Sequence, residues 1–164
     1  MALLAPEWLR TFRVLHECAG RGELRGPDLR TYRDGREVLA CVLLAAQQVA
    51  LPTGHAARRS LRVARALQVD IERNGERERA PALDVSASGF AAWVATPLEP
   101  GDQVTATVSL PSGKPVHGQA RVVRVEPHDA RNRSSVGFQF LGLPAADWER
   151  LETFVFDAVL EHIK

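Results

Sequence analysis

Residues 82–95 have the sequence ALDVSASGFAAWVA, in which two apolar stretches flank a polar turn. The apolar residues at its two ends predict short strands over 82–85 and 90–95. Between them, the segment DVSASG at 84–89 contains the Asp, Ser and Gly residues that favour tight turns. The stretch therefore predicts two strands joined at the pattern DxSxxG.

Similar strand patterns lie on both sides of this stretch. Residues 63–71 alternate and are followed by Asn74-Gly75, the strongest short signal for a β-hairpin in the sequence. Three further segments with strand patterns come later in the chain, at 104–110, 116–125 and 135–141. Six short strands separated by turn residues predict a small antiparallel β-barrel.

Helical patterns lie at both ends of the chain. Residues 1–52 predict a helical hairpin, with a break at Gly20 and Gly22 and a restart at Pro27, and Pro144 begins a closing helix. Gly35 weakens the prediction in the middle of the second helix. The hairpin carries more apolar surface than two helices can bury alone, so we expect it to pack on the barrel, on another protein or on a second copy. The fold class is mainly β with flanking helices, arranged as extension 1–52, linker 53–62, and barrel plus helix 63–164.

Composition excludes several classes of protein. The chain has 164 residues and a net charge of +1, which argues against a general nucleic-acid binder. Glu7 and Arg10 interrupt the apolar N-terminus, and the longest apolar run, 38–46, is about half of a bilayer span. Cys18 and Cys41 form no CxxC pair. We expect a cytoplasmic protein without a disulfide scaffold, in which both cysteines are buried.

No catalytic or metal-binding pattern is present in the sequence. It contains no GxSxG, Walker loop, GxGxxG or HExxH, so we expect no enzyme activity and no catalytic residue. The five histidines lack the spacing of metal ligands, so we expect no metal site. They are His16, His55, His117, His128 and His162.

The positive charge is concentrated in one segment. Residues 58–83 carry seven basic and four acidic side chains, a net charge of +3 inside a nearly neutral chain. The segment begins with Arg58-Arg59-Ser60-Leu61-Arg62, which contains the pattern RxxxR, and Asp84 follows 22 residues after Arg62. RxxxR alone and DxSxxG alone are weak signals. Their occurrence in this order, with a hairpin between them and further strands after them, is a strong one.

With these two motifs and the six-strand pattern, residues 58 to about 160 resemble the PilZ family, bacterial receptor domains for cyclic di-GMP. The resemblance implies a PilZ-like barrel, no cofactor, and cyclic di-GMP as the ligand. The family's binding residues match Arg58, Arg62, Asp84, Ser86 and Gly89, all of which are intact. Arg59 either assists at a phosphate or only flanks the site. The N-terminal helices lie outside the resemblance.

The chemistry of these residues suits that ligand. A guanidinium group binds a phosphate or the O6 and N7 edge of guanine with two hydrogen bonds. The carboxylate of Asp84 can accept from guanine N1 and N2, and Ser86 offers a hydroxyl and an amide. Gly89 permits a close backbone approach or a positive φ. We therefore expect an effector in which the ligand clamps the Arg58–Arg62 part of the linker onto the barrel and changes contacts with a protein partner or within a homodimer.

Two other functions compete with this interpretation. In one, the chain is a nucleotide-independent adaptor whose arginines meet an acidic protein surface, although an adaptor has no need of all five motif residues. In the other, the barrel binds single-stranded nucleic acid, which requires aromatic and basic residues interleaved on the strands. The strands from Phe90 onward lie in a net-negative part of the chain, which argues against that function.

Overall fold

The computed structural model describes residues 5–49, 60–128 and 132–163. The chain divides into two compact units, Met1–Leu61 and Arg62–Lys164. The predicted linker, 53–62, lies mostly outside the described residues, so its bounds stay a prediction. Within the described ranges, no helix is long and apolar enough to cross a membrane.

The first unit is a pair of helices, α1 (Pro6–Gly20) and α2 (Gly26–Val49). Phe12 of α1 stacks on Tyr32 of α2 with ring centroids 5.7 Å apart, and His16 shares a 2.9 Å hydrogen bond with the Tyr32 hydroxyl. Gly35 does not interrupt α2. A Cβ there would lie 3.0 Å from the Phe12 ring, so the glycine gives the aromatic ring room between the helices.

One expectation about this unit is wrong. Cys41 is exposed and Cys18 is half-buried. Val38, three residues before Cys41 and so on a nearby face of the helix, is also 47% exposed. The stretch 38–49 carries no charged residue, so the sequence pattern shows no polar side that would distinguish the exposed face of this helix from the buried one.

The second unit is a closed six-stranded antiparallel barrel followed by a helix, as predicted. The strands are hydrogen-bonded in the order β1-β2-β3-β6-β5-β4, with β4 returning to β1. Their bounds are β1 (Gln68–Arg73), β2 (Glu76–Ser86), β3 (Gly89–Val94), β4 (Gln103–Val108), β5 (Val116–His128) and β6 (Arg133–Leu141), and the helix is α3 (Ala145–His162).

The first two strands differ from their predicted bounds. Between 63 and 67 the chain forms an isolated bridge, from Val63 to Val85, and one further backbone hydrogen bond, from the Ala82 amide to the Leu67 carbonyl oxygen, and β1 begins at Gln68. β2 begins at Glu76, well before the predicted start, because the Asn74-Gly75 turn pairs Arg73 directly with Glu76. Both turn residues have positive φ, 53° and 83°, as a two-residue hairpin turn requires. The residues that follow the turn, 76–79, are all charged, so this part of the strand shows no apolar alternation in the sequence.

The barrel interior is apolar and well filled. Phe90 of β3 and Phe138 of β6 stack at its centre, with ring centroids 4.7 Å apart, and neither is more than 1% exposed. Leu151 of α3 is also fully buried in this cluster. Residues next to these in the strands therefore point outward, which determines the side chains that the outer face presents.

Candidate functional site

Arg62 is brought to the barrel by the short bridge that precedes β1. The backbone amides of Val63 and Val85 each donate to the other residue's carbonyl at 3.0 Å. In an antiparallel bridge of this kind the preceding residue, Arg62, lies opposite Ser86 on the outer face. Its Nη1 reaches Oδ1 of Asp84 at 3.1 Å. Two of the predicted site residues are therefore in direct contact.

A β-bulge turns Asp84 outward. Ala82 pairs with Ala92, but Asp84 pairs with Ala91, so Leu83 is an extra residue in β2. Ala82 points into the core, and without the bulge Asp84 would point there as well. The bulge thus places a carboxylate on the outer face beside Arg62.

Ser86 holds the turn of the DxSxxG motif. Its hydroxyl oxygen accepts a 3.1 Å hydrogen bond from the Gly89 amide and lies 3.1 Å from both the Gly89 carbonyl oxygen and the Ser88 hydroxyl. The residue is 0% exposed. These contacts fix the two-residue connection between β2 and β3, directly beside the Arg62–Asp84 pair.

Gly89 is required by the approach of a neighbouring strand. A Cβ on this residue would lie 2.0 Å from the carbonyl oxygen of Phe138 in β6. Its φ is outside the positive range, so of the two reasons for a glycine here, close approach applies. The approaching group is backbone of the barrel itself.

The Arg62–Asp84 pair is accessible from solvent. The side chains are 27% and 28% exposed. Ion pairs with this much exposure contribute about 0–1 kcal/mol, so a ligand can take over either partner at little cost. A guanidinium and a carboxylate side by side offer a donor fork and an acceptor to one molecule.

A second bulge places Arg124 on the same outer face. Val122 pairs with Phe138, but Arg124 pairs with Gly137, so Val123 is an extra residue in β5. The pairings then join four outward-facing residues in one row across β2, β3, β6 and β5: Asp84, Ala91, Gly137 and Arg124. The sequence did not indicate that Arg124 lies on the outer face, because regular alternation from the buried Val122 predicts an inward side chain.

Two of the predicted site residues, Arg58 and Arg59, lie outside the described residues. Two other side chains lie near the site in sequence. Arg65 is paired with Glu161 of α3. Trp93 is half-buried on the outer face of β3, with its ring edge-on to His128 and the ring centroids 4.9 Å apart. Within the ranges that the structure describes, no group of three His, Cys, Asp or Glu side chains could hold a metal ion.

Perturbed carboxyl groups lie away from this site. A hydrogen bond from Arg77 holds the pKa of Asp70 below its usual value, against the effect of burial, and Arg79 adds to it. Burial would raise the pKa of Glu78, but hydrogen bonds from Thr96 and from the amides of Ala95 and Thr96 lower it. Neither group belongs to the site at Arg62 and Asp84.

Comparison with known proteins gives a consistent result. The family model for the PilZ domain matches residues 56–157. A comparison with curated protein sequences gave no significant match. Among solved structures, the Bacillus subtilis inhibitor of motility MotI/DgrA is 19% identical, with a TM-score of 0.60, and the match covers 66% of this chain and 54% of that one.

Several of the similar structures are complexes with c-di-GMP. The PilZ domain of Escherichia coli YcgR with c-di-GMP is 19% identical, with a TM-score of 0.54, and the match covers 65% of this chain and 94% of that domain. The K. pneumonia MrkH–c-di-GMP complex is 24% identical, with a TM-score of 0.55, covering 65% of this chain and 54% of that one. The chain thus spans about half the length of MotI and MrkH. At these identities the likeness concerns the fold.

The family model covers well over half of the chain, and the closed six-stranded barrel agrees with it. The chain therefore belongs to the PilZ domain family.

Proposed function

We propose that this chain is a non-catalytic receptor for cyclic di-GMP. The observation that carries the proposal is the ion pair between Arg62 and Asp84, placed on the outer face of the barrel beside the rigid Ser86–Gly89 turn. YcgR and MrkH, which share the fold, have structures with this nucleotide.

In this proposal the ligand separates the ion pair and uses both partners. The Arg62 guanidinium takes a phosphate or a guanine edge, and the Asp84 carboxylate accepts from guanine N1 and N2. Arg58 approaches from the linker and closes the site from the other side, and Arg59 either assists at a phosphate or only flanks the site. The hydroxyl of Ser86 is hydrogen-bonded to the backbone of Gly89. Ser86 therefore contributes to ligand binding through its backbone and by fixing the turn.

Clamping of the 53–62 linker is the proposed route to an output. This linker joins the barrel to the helical hairpin, so ordering it changes what the hairpin can contact. The hairpin exposes apolar side chains, among them Val14 (60%) and Val38 (47%). We propose that these surfaces bind a protein partner or a second copy. Light scattering with and without ligand tests this, and an unchanged molar mass together with no partner would refute it.

Calorimetry with purified protein tests the receptor function. We expect cyclic di-GMP to bind, and cyclic di-AMP, GTP and short oligonucleotides to bind much more weakly. Arg62→Ala and Asp84→Ala should each weaken binding by about ten- to a hundredfold, since a bidentate guanine contact is worth about 1–3 kcal/mol. Arg65→Ala is the matched control, because Arg65 lies in the same segment and is paired with Glu161 instead.

The outcomes separate the proposed function from its competitor. Circular dichroism should show that all three variants keep the fold. Absence of cyclic di-GMP binding to the wild-type chain would refute the receptor function and favour the nucleotide-independent adaptor. Equal binding by wild type and both site variants would show that the nucleotide binds elsewhere.

A further inference from the structure

Two arginines of β2 extend from the outer face of the barrel at the start of that strand. Arg77 and Arg79 alternate with inward positions, since Ala80 lies in the core. Their side chains are 61% and 68% exposed. Asp84 follows five residues after Arg79, which is about 16 Å along the strand. The two arginines are therefore separate from the candidate nucleotide site.

One buried carboxylate holds both arginines. Asp70 of β1 lies directly opposite Arg79 in the ladder. Its Oδ2 accepts a 2.6 Å hydrogen bond from Nη2 of Arg77, and its Oδ1 accepts a 3.1 Å hydrogen bond from Nε of Arg79. With its side-chain oxygen turned toward Arg79, Gln68 accepts from the same guanidinium. The Asp70 side chain is only 10% exposed, so two exposed guanidinium groups are fixed side by side above a buried acceptor.

These contacts leave donors of both arginines for a partner. A guanidinium group has five N–H donors in a planar fork. Asp70 uses one nitrogen atom of Arg77, and Asp70 and Gln68 together use two nitrogen atoms of Arg79. A guanidinium is weakly hydrated, and one that is already held in place loses little further freedom when it binds. Arginines are enriched at protein–protein interfaces and among the residues that contribute most to binding there.

The strands beside Asp70 present short, uncharged side chains. The row that contains Asp70 continues to Thr107 of β4 and His117 of β5, whose side chains share a 2.8 Å hydrogen bond. In the next row, Gln119 of β5 donates a 2.9 Å hydrogen bond to the hydroxyl of Thr105 in β4. Because these side chains bond to one another across the strands, they form a low polar surface next to the arginines.

The distribution of charge on this face suits a protein better than a nucleic acid. Glu72 is exposed and lies opposite Arg77 in the ladder, so the arginines share the face with a carboxylate. Binding of nucleic acid depends on the neutralisation of many phosphates, which a face of mixed charge does not provide. Two guanidinium groups can instead bind two carboxylates of one protein through charge-assisted hydrogen bonds.

The spacing of the arginines favours a helix as the partner. Arg77 and Arg79 are two residues apart on one face of a strand, a separation of about 6.7 Å. Carboxylates four residues apart on a helix have Cβ atoms about 5–6 Å apart, so one helical turn presents two of them at a similar spacing. An extended segment would bind by backbone pairing at a free sheet edge, and this barrel is closed. A helix about 10 Å wide can also lie over the uncharged rows of β4 and β5.

We propose that Arg77 and Arg79, held in place by Asp70, form a docking site for an acidic helix of a protein partner. Two carboxylates one turn apart on that helix contact the two guanidinium groups. Asp70 is a positioning residue, which contacts the arginines and not the partner. The site is distinct from the helical hairpin, and the inference does not rest on the proposed receptor function.

NMR titration of the isotope-labelled chain with a probe peptide tests the docking site. The probe is an alanine-based helix of about 20 residues with glutamates in pairs four residues apart, and the control peptide has glutamine at each of these positions. The glutamate peptide should shift the Nε–Hε resonances of Arg77 and Arg79, and the glutamine peptide should not. Arg77→Gln and Arg79→Gln should each weaken binding about three- to tenfold. Arg21→Gln is the control with the same change of charge, because Arg21 is also paired with a carboxylate, Glu23, and is 56% exposed. It should bind the peptide like the wild type.

Asp70→Asn separates positioning from charge. The substitution removes a negative charge beside the arginines, so charge alone predicts tighter binding of the glutamate peptide. Loss of the acceptor that fixes both guanidinium groups predicts weaker binding. We expect about threefold weaker binding in a variant that circular dichroism shows to be folded. Tighter binding would overturn the role assigned to Asp70.

Three results would overturn the docking site itself. The first is the absence of a shift at Arg77 and Arg79 with the glutamate peptide. The second is an equal shift with a short DNA duplex, which would show that any polyanion binds. The third is a lower molar mass of the peptide-free protein in Arg79→Gln, which would show that a second copy occupies the site. Both arginine variants should bind cyclic di-GMP like the wild type. Loss of nucleotide binding in them would place the arginines in the nucleotide site instead, whereas absence of nucleotide binding to the wild type would refute only the receptor function.

Discussion

Replacement of Gly89 by alanine should destabilise the barrel itself, because the added Cβ clashes with the backbone of a neighbouring strand. The added Cβ would lie 2.0 Å from the Phe138 carbonyl oxygen, 3.1 Å from its carbon and 3.2 Å from Gln139 Cα. All three atoms belong to the backbone of β6, so no side-chain rotation relieves the clash. β3 and β6 must move apart instead.

The size of the effect follows from that movement. Ordinary contact begins at 3.4 Å, so the strands must separate by about 1.4 Å at this point. The shift loosens the stack of Phe90 on Phe138 in the core. Overpacking of a core lowers the free energy of unfolding by about 1–3 kcal/mol. Loss of one or two ladder hydrogen bonds adds about 0.5–1.5 kcal/mol each. We expect Gly89→Ala to lower the free energy of unfolding by about 2–5 kcal/mol.

Urea denaturation followed by circular dichroism measures this change. Gly137→Ala, in the facing strand, is the control, because its Cβ has room and alanine is expected to be neutral or to stabilise by about 0.4–1 kcal/mol. An unfolding midpoint for Gly89→Ala equal to that of wild type would refute the steric reasoning. If the reasoning holds, a loss of nucleotide binding in Gly89 variants reports on the fold and says nothing of a ligand contact.

Two further predictions concern polar groups of the barrel. Asp70→Asn should cost about 1 kcal/mol at neutral pH, because the arginines that pair with Asp70 are largely exposed. Since the folded pKa of Asp70 is lowered, its contribution is present above the unfolded pKa of about 3.9 and disappears as pH falls through the folded value. Urea midpoints of wild type and variant should therefore converge in acid, and a constant difference would contradict this. Ser86→Ala should cost about 1 kcal/mol by removing the acceptor of the Gly89 amide. If Ser86→Ala keeps the stability of the wild type but loses nucleotide binding, the Ser86 hydroxyl contacts the ligand and does not stabilise the turn.

Much of the fold could be predicted because its signals are local. The Asn74-Gly75 turn, the alternation over Gln103–Val108 and the polar turn before Gly89 each specify their own neighbourhood. Six such segments leave few arrangements other than a closed antiparallel sheet. The start of β2 was not predicted, because charged residues follow the Asn-Gly turn and show no apolar alternation. These residues nonetheless pair with β1.

The binding motifs were also visible in sequence, but the direction of their side chains was not. A bulge is one extra residue, and nothing local to Leu83 or Val123 distinguishes it from an ordinary strand position. Yet each bulge exchanges the inner and outer faces for the residue that follows.

Six strands, helices at both ends and the RxxxR and DxSxxG motifs could be recognised from the amino-acid sequence. The contact between Arg62 and Asp84 and the pairing that places Arg124 in one row with Asp84 became visible only in the folded chain. The same holds for the close approach of β6 to Gly89, which has no counterpart at Gly137. These features depend on the register between strands that are distant in sequence. Register is set by packing of the whole barrel around its core, and no local propensity encodes it.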